Sequence, residues 1–272
     1  PVHQWLEIGR YAWLMTHDPQ KFPVPTGKRA GNGDFPFPGC YGRYEFHVIV
    51  QRLHAFCSED LGGFYLDIIK DRLYTTPAAS RARRSAQNAL YHITQSLVRL
   101  MAPILSFTAE EAWKVLSGGA TSVFEQTWYQ DLLPPSNPEQ LRGRWKKLRE
   151  LRSDVLKQLE SLRAAGKVGS SLQSEVELYA NGESSEFLRS FADDLRFVFI
   201  TSQARVEEGG APESAVGTAL PDVRINVYPS PHSKCERCWH YRADVGRDST
   251  HPGLCGRCVA NLFGAGELRM HA

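Results

Sequence analysis

The sequence predicts a mainly α protein: an antiparallel helical bundle, then a small α/β unit, then a compact four-cysteine module. Three observations carry this. From residue 43 to about 166, apolar residues recur at three-to-four spacing, the period of a helix with one buried face. After Gly166 the pattern changes to the alternation of short strands. Beyond residue 230, cysteines stand in two tight pairs, Cys235 with Cys238 and Cys255 with Cys258. The expected divisions are an irregular segment over 1–42, the bundle over 43–166, the α/β unit over 167–230 and the cysteine module over 231–272.

Residues 1–18 can form an amphipathic helix on Trp5, Leu6, Ile8, Ala12, Trp13 and Met15. Pro19–Cys40 is dense in proline and glycine, which break helices and strands alike. From Arg43, Phe46, Ile49, Val50 and Leu53 predict a helix. Ser58, followed by Glu59 and Asp60, predicts a cap and a second helix carrying Phe64, Tyr65, Ile68, Ile69 and Leu73. A third helix is expected from about Ser80 to Met101, stopping before Pro103. Thr108 and Glu111 suggest a capping box for a fourth. Residues 117–137 read as a loop. Asn137-Pro138 then opens a long helix with its apolar stripe on Leu141, Trp145, Leu148, Leu151, Val155, Leu159 and Leu162. Short strands are expected over Val176–Ala180, Arg196–Ser202, Ala204–Glu208 and Val223–Tyr228, with a helix over Phe187–Leu195 and a loop over Gly209–Pro221.

Of the 272 residues, 42% are hydrophobic and 23% charged, a balance that excludes a disordered chain. No apolar run is long enough for a transmembrane helix. The chain starts at Pro1 with no leader-like stretch after it, so a fragment is expected and no signal peptide is read. With a net charge of +2, nucleic-acid binding has to come from local clusters rather than overall charge.

The cysteine spacing is the sharpest signal. Two residues between cysteines let one tight turn present both thiolates to one ion, and two such turns close a tetrahedral site. One structural zinc on Cys235, Cys238, Cys255 and Cys258 is the expectation, in a zinc ribbon. Lys234, Arg237, Arg257 and Arg242 can offset the thiolate charge. His232, His240 and His251 stand near enough for one to replace a cysteine. A closed four-cysteine site leaves no position for a reacting water. A reducing, cytoplasmic compartment follows from thiols used this way.

Two helical stretches are basic. Residues 70–99 carry Lys70, Arg72, Arg81, Arg83, Arg84 and Arg99 against Asp71 alone. Residues 140–167 carry Arg142, Arg144, Lys146, Lys147, Arg149, Arg152, Lys157, Arg163 and Lys167 against Glu150, Asp154 and Glu160. Such faces suit a phosphate backbone, because neutralised phosphates release counterions. They equally suit plain solvation. Trp239 and Tyr241 could stack on unpaired bases or pack the zinc module's small core. No Ser/His/Asp frame or Gly-x-Ser-x-Gly elbow occurs, so this chain alone is expected to turn over no substrate.

Several stretches resemble the anticodon-binding helices of bacterial isoleucyl-tRNA synthetases. They are Phe64-Tyr65-Leu66-Asp67-Ile68-Ile69-Lys70-Asp71-Arg72-Leu73-Tyr74, Ala82-Arg83-Arg84-Ser85-Ala86-Gln87 and Met101-Ala102-Pro103-Ile104-Leu105-Ser106-Phe107-Thr108-Ala109-Glu110-Glu111. The tail, from Lys234-Cys235 through Cys238-Trp239-His240-Tyr241 to Cys255-Gly256-Arg257-Cys258-Val259, is similar to that family's C-terminal zinc module. The resemblance spans roughly 41–272 and departs over the Pro/Gly-rich 19–40, where the family has continuous helix. It implies part of a class I ligase that uses ATP to join isoleucine to its tRNA. The family's His-Ile-Gly-His and Lys-Met-Ser-Lys-Ser motifs and its editing domain are absent from this sequence.

The implied partners are an isoleucine-accepting tRNA and a catalytic domain of the same enzyme, in a monomer with no membrane association. Candidate tRNA contacts are Lys70, Arg72, Arg81, Arg83, Arg84, Arg142, Lys146, Lys147, Arg149, Trp239 and Arg257. The alternatives are a free-standing zinc-ribbon nucleic-acid-binding protein and a structural module that docks onto a catalytic partner.

Overall fold

The structure is a computed structural model and describes residues 37–129 and 137–272. The helix expected over 1–18 and most of the Pro/Gly-rich segment lie outside the described residues. The chain divides into two compact units: 1–67 with 85–138, and 68–84 with 139–272.

In the first unit, helix α1 (Phe37–Gly42) lies inside the stretch expected to be irregular. Pro38 falls in its first turn, where the missing N–H has no intrahelical partner to lose. Helix α2 (Phe46–Ala55) runs without a break into a π-type segment over Phe56–Leu66, and the helical backbone continues as α3 (Asp67–Thr75), which from Ile68 on belongs to the second unit. The expected cap at Ser58 is therefore corrected. Its hydroxyl donates back to the His54 carbonyl at 2.8 Å, as a serine inside a helix does. Gly62 and Gly63 fit this widened turn, because a Cβ at either would stand 3.0 Å or 3.2 Å from the carbonyl oxygens of Cys57 and Ser58.

Helix α4 (Arg81–Met101) matches its expected span, and α5 (Ser106–Ser117) ends at left-handed Gly118. The expected box at Thr108 and Glu111 is also corrected: α5 begins two residues earlier, so Thr108 lies inside it. The capping box sits instead on the short turn Val123–Glu125, between Ser122 and Glu125. Val98, Ala102, Ala109, Trp113 and Val123 form a buried apolar cluster in this unit. The Trp113 indole donates to Thr121 Oγ1 at 3.1 Å, which satisfies a polar atom that burial would otherwise strand.

The second unit is built on α6 (Pro138–Ala164), whose Leu141, Trp145, Leu148, Leu151, Val155 and Leu159 are buried. Gly166, at φ +68°, ends it: the Lys167 N–H reaches the Leu162 carbonyl and the Gly166 N–H the Arg163 carbonyl, the bonding of a glycine-terminated helix. Strand β1 (Ser174–Ala180) leads through α7 (Gly182–Arg189) and α8 (Leu195–Phe199) to β2 (Gln203–Glu207), which pairs parallel to β1. Strands β3 (Val216–Gly217) and β4 (Val223–Pro229) complete a sheet of order β2-β1-β4-β3, with β4 antiparallel to β1. Val176, Leu178, Ala180, Val223 and Ile225 bury one face. On the other, Glu177 accepts hydrogen bonds from Tyr179, Asn226 and Tyr228.

The strand expected over Arg196–Ser202 is a correction: Leu195–Phe199 is helical and buried throughout. A short continuous apolar run carries no period, so it reads equally as buried strand or buried helix. The helix expected over Phe187–Leu195 lies earlier, at Gly182–Arg189. Among the described residues, no helix is long and apolar enough to cross a membrane.

Candidate metal centre

Cys235 follows β5 (Ser233–Lys234), and Cys238 precedes β6 (Tyr241–Arg242), which pairs antiparallel with β5. Cys255 caps α9 (Gly256–Phe263), and Cys258 lies in its first turn. The four sulfurs lie within 4.8 Å of one another, and all four cysteines are buried. Sulfurs about 2.3 Å from one tetrahedral ion stand about 3.8 Å apart, and Cys238 Sγ lies 3.7 Å from Cys255 Sγ. The donor set and its spacing fit one structural zinc with every position filled by sulfur.

The knuckles are shaped by their neighbours. The Cys235 N–H donates to the His240 carbonyl at 2.8 Å, and the Trp239 N–H to the Cys235 carbonyl at 2.9 Å. Trp239 closes this turn at φ +64°, a left-handed conformation unusual for a residue with a Cβ, and the residue is 61% exposed. Lys234 Nζ lies 5.4 Å from that ring's centre. In the second knuckle, Asp244 takes two bonds from Arg242, at 2.9 Å and 3.2 Å, and one from the Gly256 N–H at 3.2 Å. Gly253 leaves room for the Glu236 carboxyl, which would stand 2.4 Å from a Cβ there and would have to swing aside.

Among the described residues, no histidine joins the cysteines. His240 Nδ1 lies 3.2 Å from the Cys238 carbonyl, His251 stacks on Phe263 at 4.2 Å, and His232 lies 3.6 Å from Glu175. The arginines expected to offset the thiolates have separate tasks. Arg237 donates to Cys258 Sγ at 3.7 Å and to the Thr75 carbonyl at 2.8 Å. Arg257 forks onto Asp71 at 2.8 Å and 2.9 Å.

Of the other basic candidates, Lys70, Arg81, Arg84, Lys146 and Lys147 are exposed, and Arg83, Arg142 and Arg149 partly so. Arg142 pairs with Glu139 at 2.5 Å. Arg72 and Arg257 are buried, at 0% and 8% exposure, unlike the other basic candidates. Reading the sequence passed over Asp71. It stood there as the one acid in a basic stretch, and that isolation was the available signal.

The family described as the anticodon-binding domain of tRNA ligases matches residues 38–178. The zinc finger found in FPG and IleRS matches residues 233–261. The first match covers more than half of the chain, which belongs to the anticodon-binding family of the tRNA ligases. The isoleucine branch is where its relatives stand: it is 53% identical over 272 residues to the isoleucine–tRNA ligase of Thiobacillus denitrificans, and 50% identical over 275 residues to that of Cupriavidus necator. All of this chain takes part in both matches but only 26% of either ligase, so it spans about a quarter of the length of these curated relatives.

Proposed function

We propose that this chain is the tRNA-binding C-terminal portion of an isoleucine–tRNA ligase and that it recognises the anticodon stem-loop of isoleucine tRNA. The observation that carries the reading is the succession, in one chain, of the anticodon-binding match and the zinc finger. The work is recognition rather than bond-making. Exposed Lys70, Arg81, Arg84, Lys146 and Lys147, with partly exposed Arg83, Arg142 and Arg149, neutralise phosphates, which positions the RNA without reading it. Trp239 offers an exposed aromatic face beside Lys234, suited to an unpaired base. Zinc, when bound, supplies only the rigidity of its module.

ATP-dependent charging then belongs to a catalytic domain of the same enzyme, toward which this portion holds the tRNA. The setting is cytoplasmic and the state monomeric. The test is binding of the chain to an isoleucine tRNA and to an unrelated tRNA at fixed salt. Tighter binding of the first is expected, with affinity falling by a log–log slope of about −0.7 to −0.9 per phosphate contact. Replacing Arg83 and Arg84 with Ala should weaken both RNAs equally. Salt-independent, indiscriminate binding would leave the docking-module reading in its place. The isolated chain should show no ATP–pyrophosphate exchange with isoleucine.

A further inference from the structure

We propose that Asp71 is the positioning residue that fixes the zinc module on helix α3, and with it the place at which Trp239 meets RNA. The second half rests on the function proposed above; the first does not. Both knuckles have an arginine just before their second cysteine, Arg237 before Cys238 and Arg257 before Cys258. Zinc ligation asks nothing of that position, yet both arginines reach the same helix. Arg237 donates to the Thr75 carbonyl at 2.8 Å, and Arg257 grips both oxygens of Asp71, one turn earlier, at 2.8 Å and 2.9 Å.

The Asp71 contact is the directional one. Planar fork-to-fork pairing fixes angle as well as distance, which a single bond to a carbonyl does not. Arg269 also bonds Asp71, and Glu267 bonds both arginines, at 3.3 Å and 3.1 Å. Two carboxylates and two guanidinium groups thus balance out of water. The side chains of Arg257 and Arg269 are 5% and 0% exposed. The Phe197 ring floors the cluster, with the Arg269 guanidinium 3.4 Å and that of Arg257 5.3 Å from its centre. His240, directly after Trp239, packs edge-on to the same ring at 5.8 Å and lies 4.0 Å from Asp71. Trp239 therefore stands between a zinc ligand and a residue packed into this cluster.

The experiment compares the whole chain with D71N and D71E. D71N keeps the volume but removes the charge that holds the fork. It should retain one zinc by elemental analysis and a native helical spectrum. Amide exchange over 255–263 should quicken about tenfold while β1 and β4 stay unchanged, because one locally opening element is loosened. Preference for an isoleucine tRNA transcript over an unrelated one should fall about tenfold, and D71E should restore part of both. A merely structural residue would instead speed exchange throughout and weaken both RNAs alike. Native exchange over 255–263 in D71N overturns the positioning role, and quickened exchange with undiminished preference overturns its link to Trp239. Should the unaltered chain show no preference, the function proposed above fails, while the exchange comparison still decides what Asp71 does. If D71N does not fold, R257K keeps the charge and loses the fork, and the same two readouts apply.

Discussion

The core of the first unit and the core of the zinc module solve one problem with opposite materials. Val98, Ala102, Ala109, Trp113 and Val123 exclude water with apolar area, and many other apolar contacts share the work. In the zinc module the buried cluster is the four cysteines, with Val245 and Leu254 half-buried beside them. A core of that size leaves too little apolar area to offset chain entropy. The first core should therefore weaken in proportion to what is removed, and the second should fail all at once.

The largest expected effect follows. Structural zinc contributes on the order of 10–16 kcal/mol in isolated zinc-finger peptides. Chelation, or Cys238→Ser, should abolish protection over 233–261 while the α-helical signal largely survives. Amide exchange with and without chelator reads both, and protection of the tail without metal would break the comparison. Next comes Trp113→Ala, expected to cost about 3–5 kcal/mol as a large cavity in an apolar core. Denaturant unfolding measures it, and zinc affinity should not change.

Between these extremes stands Glu177, a carboxylate held by neutral donors instead of metal. Partial burial pushes its pKa up, but hydrogen bonds from Tyr179, Asn226 and Tyr228 outweigh this and hold it below its ordinary value. A group depressed on folding stabilises above its unfolded pKa, about 4.3 for glutamate, and that stability is lost as pH falls through the folded value. The native chain should thus exceed Glu177→Gln in stability at pH 6 by a margin that shrinks toward pH 3. A constant margin would assign the effect to packing rather than charge.

How much of this was legible follows the same division. The cysteine pairs were, because ligand geometry dictates spacing. So were α4 and α6, where proline, glycine and a long apolar stripe mark both the ends and the face. Leu195–Phe199 was not: its helix closes at Ile200, a β-branched residue at φ +56° where a glycine would have marked the end. Ser58 and Thr108 misled because hydroxyl side chains serve as well inside a helix as at its cap. Asp71 was illegible for a different reason. Its partners Arg257 and Arg269 stand 186 and 198 residues away, and nothing local records them.

The smallest expected effect tests whether the tail sacrifices stability for recognition. Trp239 holds φ +64° although it is largely exposed, so neither burial nor glycine-like freedom explains a tryptophan there. A left-handed residue with a Cβ costs roughly 1–2 kcal/mol. Trp239→Ala and Trp239→Gly both remove the ring and its contact with Lys234, but only the second relieves the backbone. Trp239→Gly should accordingly be the more stable of the two by about 1 kcal/mol in zinc-loaded unfolding, less the freedom glycine adds to the unfolded chain. Both should lose RNA affinity alike, by about 1–3 kcal/mol if one base stacks there. Equal stability of the two variants would show that the hydrogen bonds at Cys235 and His240 already compensate the turn. Unchanged RNA binding in both would remove Trp239 from recognition and leave the exposed cations to carry it.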